Sequence, residues 1–337
     1  MNLVADFLNS GIRLSTPILF AAIASLISAR AGILNLAIES KVLAGAFVGV
    51  LTAAAFGLWA GIAAAALTGA LIGLLMAFAH RIGVDLVVLA IGLNILVLQL
   101  TVYLMRSYLG GVGTYAPEID RLPEIALPLL SDLPFLDHLT ARLNVLVYLA
   151  LGTALAVGIY FRTRSGRHLL AVGEAPVAAA ASGIPVARVQ LAALVVAGAI
   201  AGVGGAFLSI GDVGLFTRNM SADRGWIGIT AALLALNRPA LVVPAAAVFG
   251  FASAAAIRLQ SLDVPANLTQ FLPQGAAFVA LVLVGVHGRL RGNVARLWRD
   301  STRIPFPFPS RSSPDKSPDA SPDNPPDSHA KTPQETP

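Results

Sequence analysis

Asn35 and Glu39 stand four residues apart in the stretch GILNLAIESKVLAGAF, with Lys41 two positions further on. That spacing puts two side chains on one face of a helix. An amide and a carboxylate among apolar neighbours can border a path for a polar solute or fix a bend in a broken helix. Equally, Glu39 can pair locally with Lys41 or Arg30. Asn94, inside VVLAIGLNILVLQL and followed by Gln99, is a second amide within an apolar run. It can bond a hydroxylated solute or a neighbouring helix. A third group, Thr217, Arg218, Asn219, Ser221, Asp223 and Arg224, leads through Trp226 into another apolar run, which suits a re-entrant element. Asn35, Glu39, Asn94, Asn219, Arg224 and Trp226 are therefore the candidate lining of a translocation path.

Catalysis finds no such footing. Gly-Lys never occurs, so there is no phosphate-cradling P-loop. HExxH and Gly-x-Ser-x-Gly are absent as well. His80, His138, His168, His287 and His329 are scattered over loops and span ends, whereas a metal site wants its ligands clustered. With no cysteine, thiol and disulfide chemistry are excluded. The chain reads as a non-enzyme that binds no metal or cofactor of its own. Energy for uphill transport must come from a partner or an ion gradient.

The elements that position these residues follow from composition. Of 337 residues, 56% are hydrophobic and 12% charged. Soluble domains carry about 25% charged residues. Lipid is thus the solvent and a principal partner, and long apolar runs select helices over a barrel. The fold class is all-α, a polytopic membrane helical bundle. Candidate spans are 14–28, 33–56, 58–79, 84–104, 143–160, 189–210, 226–236, 240–257 and 271–286. Several are shorter than the roughly 20 residues of a full crossing. About eight to ten segments, with broken or re-entrant helices among them, are expected. Asp6 and the apolar sequence after Arg30 favour a retained first helix over a cleaved signal. Gly45/Gly49, Gly69/Gly73 and Gly198/Gly202 are small-residue pairs for close helix packing within one bundle.

Charge sets orientation. The net charge of +5 is arginine-dominated, and its distribution fits membrane orientation rather than nucleic-acid binding. If the spans alternate, His80-Arg81, the loop 161–188, Asn237-Arg238-Pro239 and the run from His287 to Arg303 share one side. That side is expected to be cytoplasmic, with the C-terminus. Within 161–188, residues 177–182 read as a small alanine-rich helix between Gly173 and Gly183, a docking element for a cytoplasmic partner. Residues 1–303 form the transmembrane domain. Residues 304–337, rich in Pro, Ser and Asp, form a disordered cytoplasmic tail.

Three stretches resemble the permease subunits of bacterial ABC importers for simple sugars, nucleosides and branched-chain amino acids. ARAGILNLAIESKVLAGAFVG is similar to the family's GVVNIGLEG element. LLAVGEAPVAAAASGIPVARVQLAALVVAGAIAGVGGAFLSIG resembles its AVGEN cytoplasmic loop and the small-residue helix after it. FTRNMSADRGWIGITAALLALNRPALVVPAAAVFGFASA resembles its GRGFIALAAVIFG element. Asn35 with Glu39 resembles the nucleoside-type branch. The resemblance implies alternating access at the bacterial inner membrane. It implies cytoplasmic ABC ATPase subunits carrying ATP and Mg2+, a second homologous permease and an extracytoplasmic solute-binding protein. It further implies an ATPase-coupling element at Gly173, Glu174, Ala178, Ala179, Gly183 and Ile184. The sequence departs from the pattern in three places: Ala175 for Asn, Ser40-Lys41 for Gly and the residue after it, and Asp223 for a small residue before Arg-Gly. The competing readings are a branched-chain amino acid permease, an ion-driven secondary transporter and a membrane scaffold.

Overall fold

A computed structural model of the chain describes residues 2–110, 113–120, 122–123, 143–262 and six positions between 269 and 282. The tail 304–337 and the arginines from Arg289 onward lie outside the described residues, as does most of the expected span 271–286.

The described residues form a helical bundle. In chain order the elements are α1 (Asn2–Arg30), α2 (Ile38–Phe56), α3 (Leu58–Arg81), α4 (Leu86–Tyr108), β1 (Thr114–Tyr115), α5 (Val145–Tyr160), α6 (Arg164–Glu174), α7 (Pro176–Ala181) and α8 (Val186–Ala206). A π-helical segment (Phe207–Val213), β2 (Phe216–Thr217), α9 (Arg224–Leu234) and α10 (Pro239–Gln260) follow. Six of these helices, counting α8 with its π extension, are long and apolar enough to cross a membrane. A seventh crossing forms if α5 and α6, bent by 79° at their junction, count as one. The expected span 226–236 is the short helix α9, 11 residues long, and does not reach across the bilayer alone.

Local chemistry sets the helix boundaries. Asp85 caps α4 by accepting the N–H of Val87 at 2.8 Å. Asn144 caps α5 through Leu146 N–H at 3.1 Å, and Thr163 caps α6 through Gly166 N–H at 3.2 Å. A single residue, Gly57 at φ +91°, separates α2 from α3. Only glycine adopts that φ freely, so the tight hairpin depends on it. α7 starts at Pro176, and the residue before it, Ala175, offers no side-chain cap.

Packing follows the small residues. A methyl group on Gly69 would sit on the carbonyl oxygen of Gly198, and one on Gly198 would sit on that of Gly69. Gly73 meets the Leu194 carbonyl, Gly202 meets that of Ala65, and Gly45 meets that of Gly202. The glycine pairs therefore form a seam among α2, α3 and α8, where backbones approach too closely for any side chain. In lipid no hydrophobic effect drives helices together, so such contact is the main source of cohesion. α1 lies at the centre, buried along most of its length against α8, α9 and α10. α4 lies outermost and exposes Val88, Ile91, Ile95 and Tyr103.

Candidate functional site

The first turn of α2 is where polar groups of four elements meet. The chain leaves α1 at Arg30 and becomes helical again only at Ile38. Breaking a membrane helix frees backbone groups that must find partners. Side chains supply them. Asn94 on α4 donates from Nδ2 to the Leu36 carbonyl at 3.0 Å, and its Oδ1 accepts the Ser40 N–H at 3.0 Å. Its amide is therefore engaged on both sides by the break.

Asn35 and Glu39 do not share a helix face. Asn35 precedes the helix, in the non-helical stretch, so the four-residue rule does not apply to it. Its Nδ2 donates to Ser28 Oγ on α1 at 3.0 Å, and its Oδ1 accepts from Lys41 Nζ at 2.9 Å. Lys41 is fully buried and also reaches Met76 Sδ on α3 at 3.4 Å. Glu39 turns the other way. Its carboxylate accepts the N–H of Gly225 at 2.7 Å and of Asp223 at 3.2 Å. It thereby neutralises the positive N-terminal end of α9 from a different helix. Neither a Glu39–Lys41 nor a Glu39–Arg30 ion pair forms among the described residues.

The turn that Glu39 receives is unusual in its backbone. Asn219, Ala222 and Asp223 have φ of +55°, +43° and +62°. Arg224 closes it by donating from Nη1 to the carbonyls of Met220 and Ser221, both at 3.2 Å. Gly225 is required, because a methyl there would come within 2.6 Å of Glu39 Cα. Ser221 is buried in the turn, with its side chain beside the Glu39 carboxylate. Of the remaining candidates, Asn219 and Trp226 are exposed, and Arg224 lies within electrostatic reach of Glu39 and Asp212.

The coupling candidates form a second assembly. The segment 161–188 holds two helices rather than the one expected at 177–182: α7 lies there, and α6, 11 residues long, precedes it. Gly166, Leu169 and Val172 bury one face of it. Gly173 presses against the end of α1: a methyl on it would sit on the Arg30 carbonyl, and a methyl on Gly32 would approach Gly173 Cα to 3.1 Å. Glu174 is exposed and acts electrostatically on Arg30. Ala178 is exposed and Ala179 is buried. Gly183 takes φ +81° to turn the chain toward Ile184 and α8.

Sequence reasoning missed a polar group at the opposite end. Arg13 on α1 forms an ion pair with Asp212 of the π segment. Asn144 donates to the Gly211 carbonyl at 2.6 Å. With Asp120 they border a cavity of about 530 Å3. In the sequence Arg13 stands just before the apolar run 14–28, but nothing local pairs it with Asp212.

A bundle of apolar helices, two of them beginning at a buried polar junction, is a polytopic membrane protein of the transporter kind. The chain belongs to the family described as branched-chain amino acid transport system / permease component, whose model matches residues 7–286. It is a permease subunit of an ABC importer. It is similar to a Haloferax volcanii protein provisionally named a glucose ABC transporter permease, with 31% identity over 78% of this chain and 80% of that one. It is similar to a nucleoside ABC transporter permease of Lactococcus lactis, with 30% identity over 47% of this chain and 51% of that one. A guanosine ABC transporter permease of Bacillus subtilis is 29% identical over 51% of this chain and 54% of the relative. The matches to these two thus span about half of either chain. No solved structure matches.

Proposed function

We propose that this permease moves an uncharged, hydroxyl-rich solute, a nucleoside or simple sugar, by alternating access driven by separate ATPase subunits. The nucleoside-type branch is the preferred reading. The observation that carries it is how the charges at the α2 junction are spent. Glu39 is engaged by backbone N–H groups and Lys41 by the Asn35 amide. A zwitterionic amino acid needs an unspent anion and cation to replace its hydration, whereas a nucleoside or sugar needs amides, hydroxyls and backbone groups. The named solutes of the relatives, glucose, nucleosides and guanosine, agree with this reading.

In this reading Asn35, Glu39, Asn94, Asn219, Arg224 and Trp226 surround the path or hold its shape. The segment 161–188 faces the cytoplasm. Gly173, Glu174, Ala178, Ala179, Gly183 and Ile184 receive the ATPase, whose ATP and Mg2+ do the chemical work. A second homologous permease and an extracytoplasmic solute-binding protein complete the assembly in the inner membrane. ATP binding and hydrolysis supply the differential contacts that any two-state switch requires.

Uptake of labelled guanosine, glucose and leucine by cells with and without the gene tests the solute class. Loss of guanosine or glucose uptake supports it. Loss of leucine uptake alone overturns it.

A further inference from the structure

Among the described residues, five non-glycine residues have positive φ, and all five flank α9. Asn219, Ala222 and Asp223 precede it; Leu236 and Asn237, at +52° and +51°, follow it. Left-handed backbone is costly for residues such as alanine and leucine and persists where the surroundings enforce it. Such residues cluster at active sites, ligand clamps and switch regions. α9 has a strained turn at each end.

Each turn is gripped by a charged side chain from another helix. At the start, Glu39 of α2 holds the N–H groups of Asp223 and Gly225. At the far end, Arg30 of α1 donates from Nε to the Asn237 carbonyl at 2.6 Å. Asn237 Oδ1 is buried there without a partner. Between the two grips runs a rod of 11 residues, about 16 Å at 1.5 Å per residue. Arg30 is also the residue against which Gly173 packs and on which Glu174 acts. A continuous line of contacts thus runs from the 161–188 segment through Arg30, Asn237 and α9 to Glu39 at the α2 junction.

We propose that α9 is a transmission rod, and that Arg30 and Glu39 are positioning residues that couple its two ends. Displacement of Gly173 shifts Arg30 and, with it, the Asn237 turn. The short helix moves as a unit and works the 219–223 turn against Glu39. The inference rests on reading 161–188 as the ATPase contact, but the link between the two grips is measurable on this chain alone.

The chain lacks cysteine, so one introduced thiol is a clean reporter. Ser221 is fully buried at the near turn beside the Glu39 carboxylate, and Ser209 is fully buried in the π segment; a thiol differs from a hydroxyl by one atom, so serine-to-cysteine changes disturb either site little. The full-length protein in native membranes is reacted with a permeant maleimide. The thiol of Ser221→Cys should be protected. Glu39→Ala should raise its labelling rate at least tenfold, with Glu39→Gln intermediate because one acceptor oxygen remains. Arg30→Met, on the far side of the rod, should raise the same rate severalfold, and Arg30→Lys should restore protection. The thiol of Ser209→Cys should stay protected throughout. Unchanged labelling of Ser221→Cys in the Arg30→Met background would refute the rod. Equal loss of protection at Ser209→Cys would also refute it, by revealing general loosening. Failure of the ATPase-contact reading shows elsewhere, as unchanged coupling in Gly183 variants, and leaves this result standing.

Discussion

Glu39 accepts a 2.7 Å hydrogen bond from the backbone N–H of Gly225, joining the starts of two helices whose sequence positions are 186 apart. A carboxylate at a helix N-terminus is favourable through both the hydrogen bonds and the helix dipole. Hydrogen bonds to a charged group contribute about 1.5–3 kcal/mol. Glu39→Ala should therefore lower the thermal midpoint of the purified protein by several degrees. Gly225→Ala should do at least as much, since its methyl has no space against the Glu39 backbone. Thermal unfolding in detergent, followed by size-exclusion recovery, measures both.

Lys41 and Asn35 give a paired expectation. Among the described residues the buried Lys41 amine has one oxygen acceptor, Asn35 Oδ1. Asn35→Ala removes it and leaves the buried amine without an oxygen partner, at a cost of about 1–3 kcal/mol. Lys41→Met replaces the buried amine with an apolar chain of similar length, and replacing both hydrogen-bond partners by apolar groups can be nearly neutral. The single variant Asn35→Ala should be clearly less stable than wild type, and the double variant with Lys41→Met should recover most of the loss. Detergent unfolding of the four proteins in the cycle checks it.

The glycine seam separates positions of one residue type. Gly69→Val and Gly198→Val should abolish a monodisperse, folded protein, because each side chain would displace a facing backbone. Gly92→Ala on α4 has nothing within 4 Å and should be neutral or slightly stabilising. Yield of folded protein by fluorescence-detected gel filtration separates the two outcomes.

Arg13 and Asp212 are both partly exposed, so their pair should contribute little to stability, within about 1 kcal/mol. A double-mutant cycle with Arg13→Ala and Asp212→Ala measures the interaction. A charge-reversed double variant should unfold at nearly the wild-type temperature.

Much of this architecture could be read from residue types alone. Apolar run length located the long helices, because a membrane helix must satisfy its own backbone and so leaves an unbroken signal. The glycine pairs foretold the seam, since spacing by four fixes a face within a helix. Asn35 shows where such reasoning ends. Its spacing from Glu39 implied a shared face, but the helix begins only at Ile38, and the two side chains part toward different elements. Helix breaks among uniformly apolar residues depend on distant acceptors, here Asn94 on α4 and the 219–223 turn. No local pattern announces them. Arg13 with Asp212 was illegible for the same reason, being a pair 199 positions apart in sequence.

The central claim is that ATP hydrolysis by partner subunits, rather than an ion gradient, drives solute through this chain. It is tested most directly by nucleoside uptake into right-side-out membrane vesicles containing this permease with the proposed ATPase, second permease and binding protein. The vesicles are loaded with an ATP-regenerating system and treated with ionophores that collapse proton and sodium gradients. Uptake should persist under ionophore, stop when internal ATP is omitted, and fall at least tenfold with Gly183→Val in the proposed coupling segment. Uptake that survives without ATP and is abolished by the ionophore would contradict the claim.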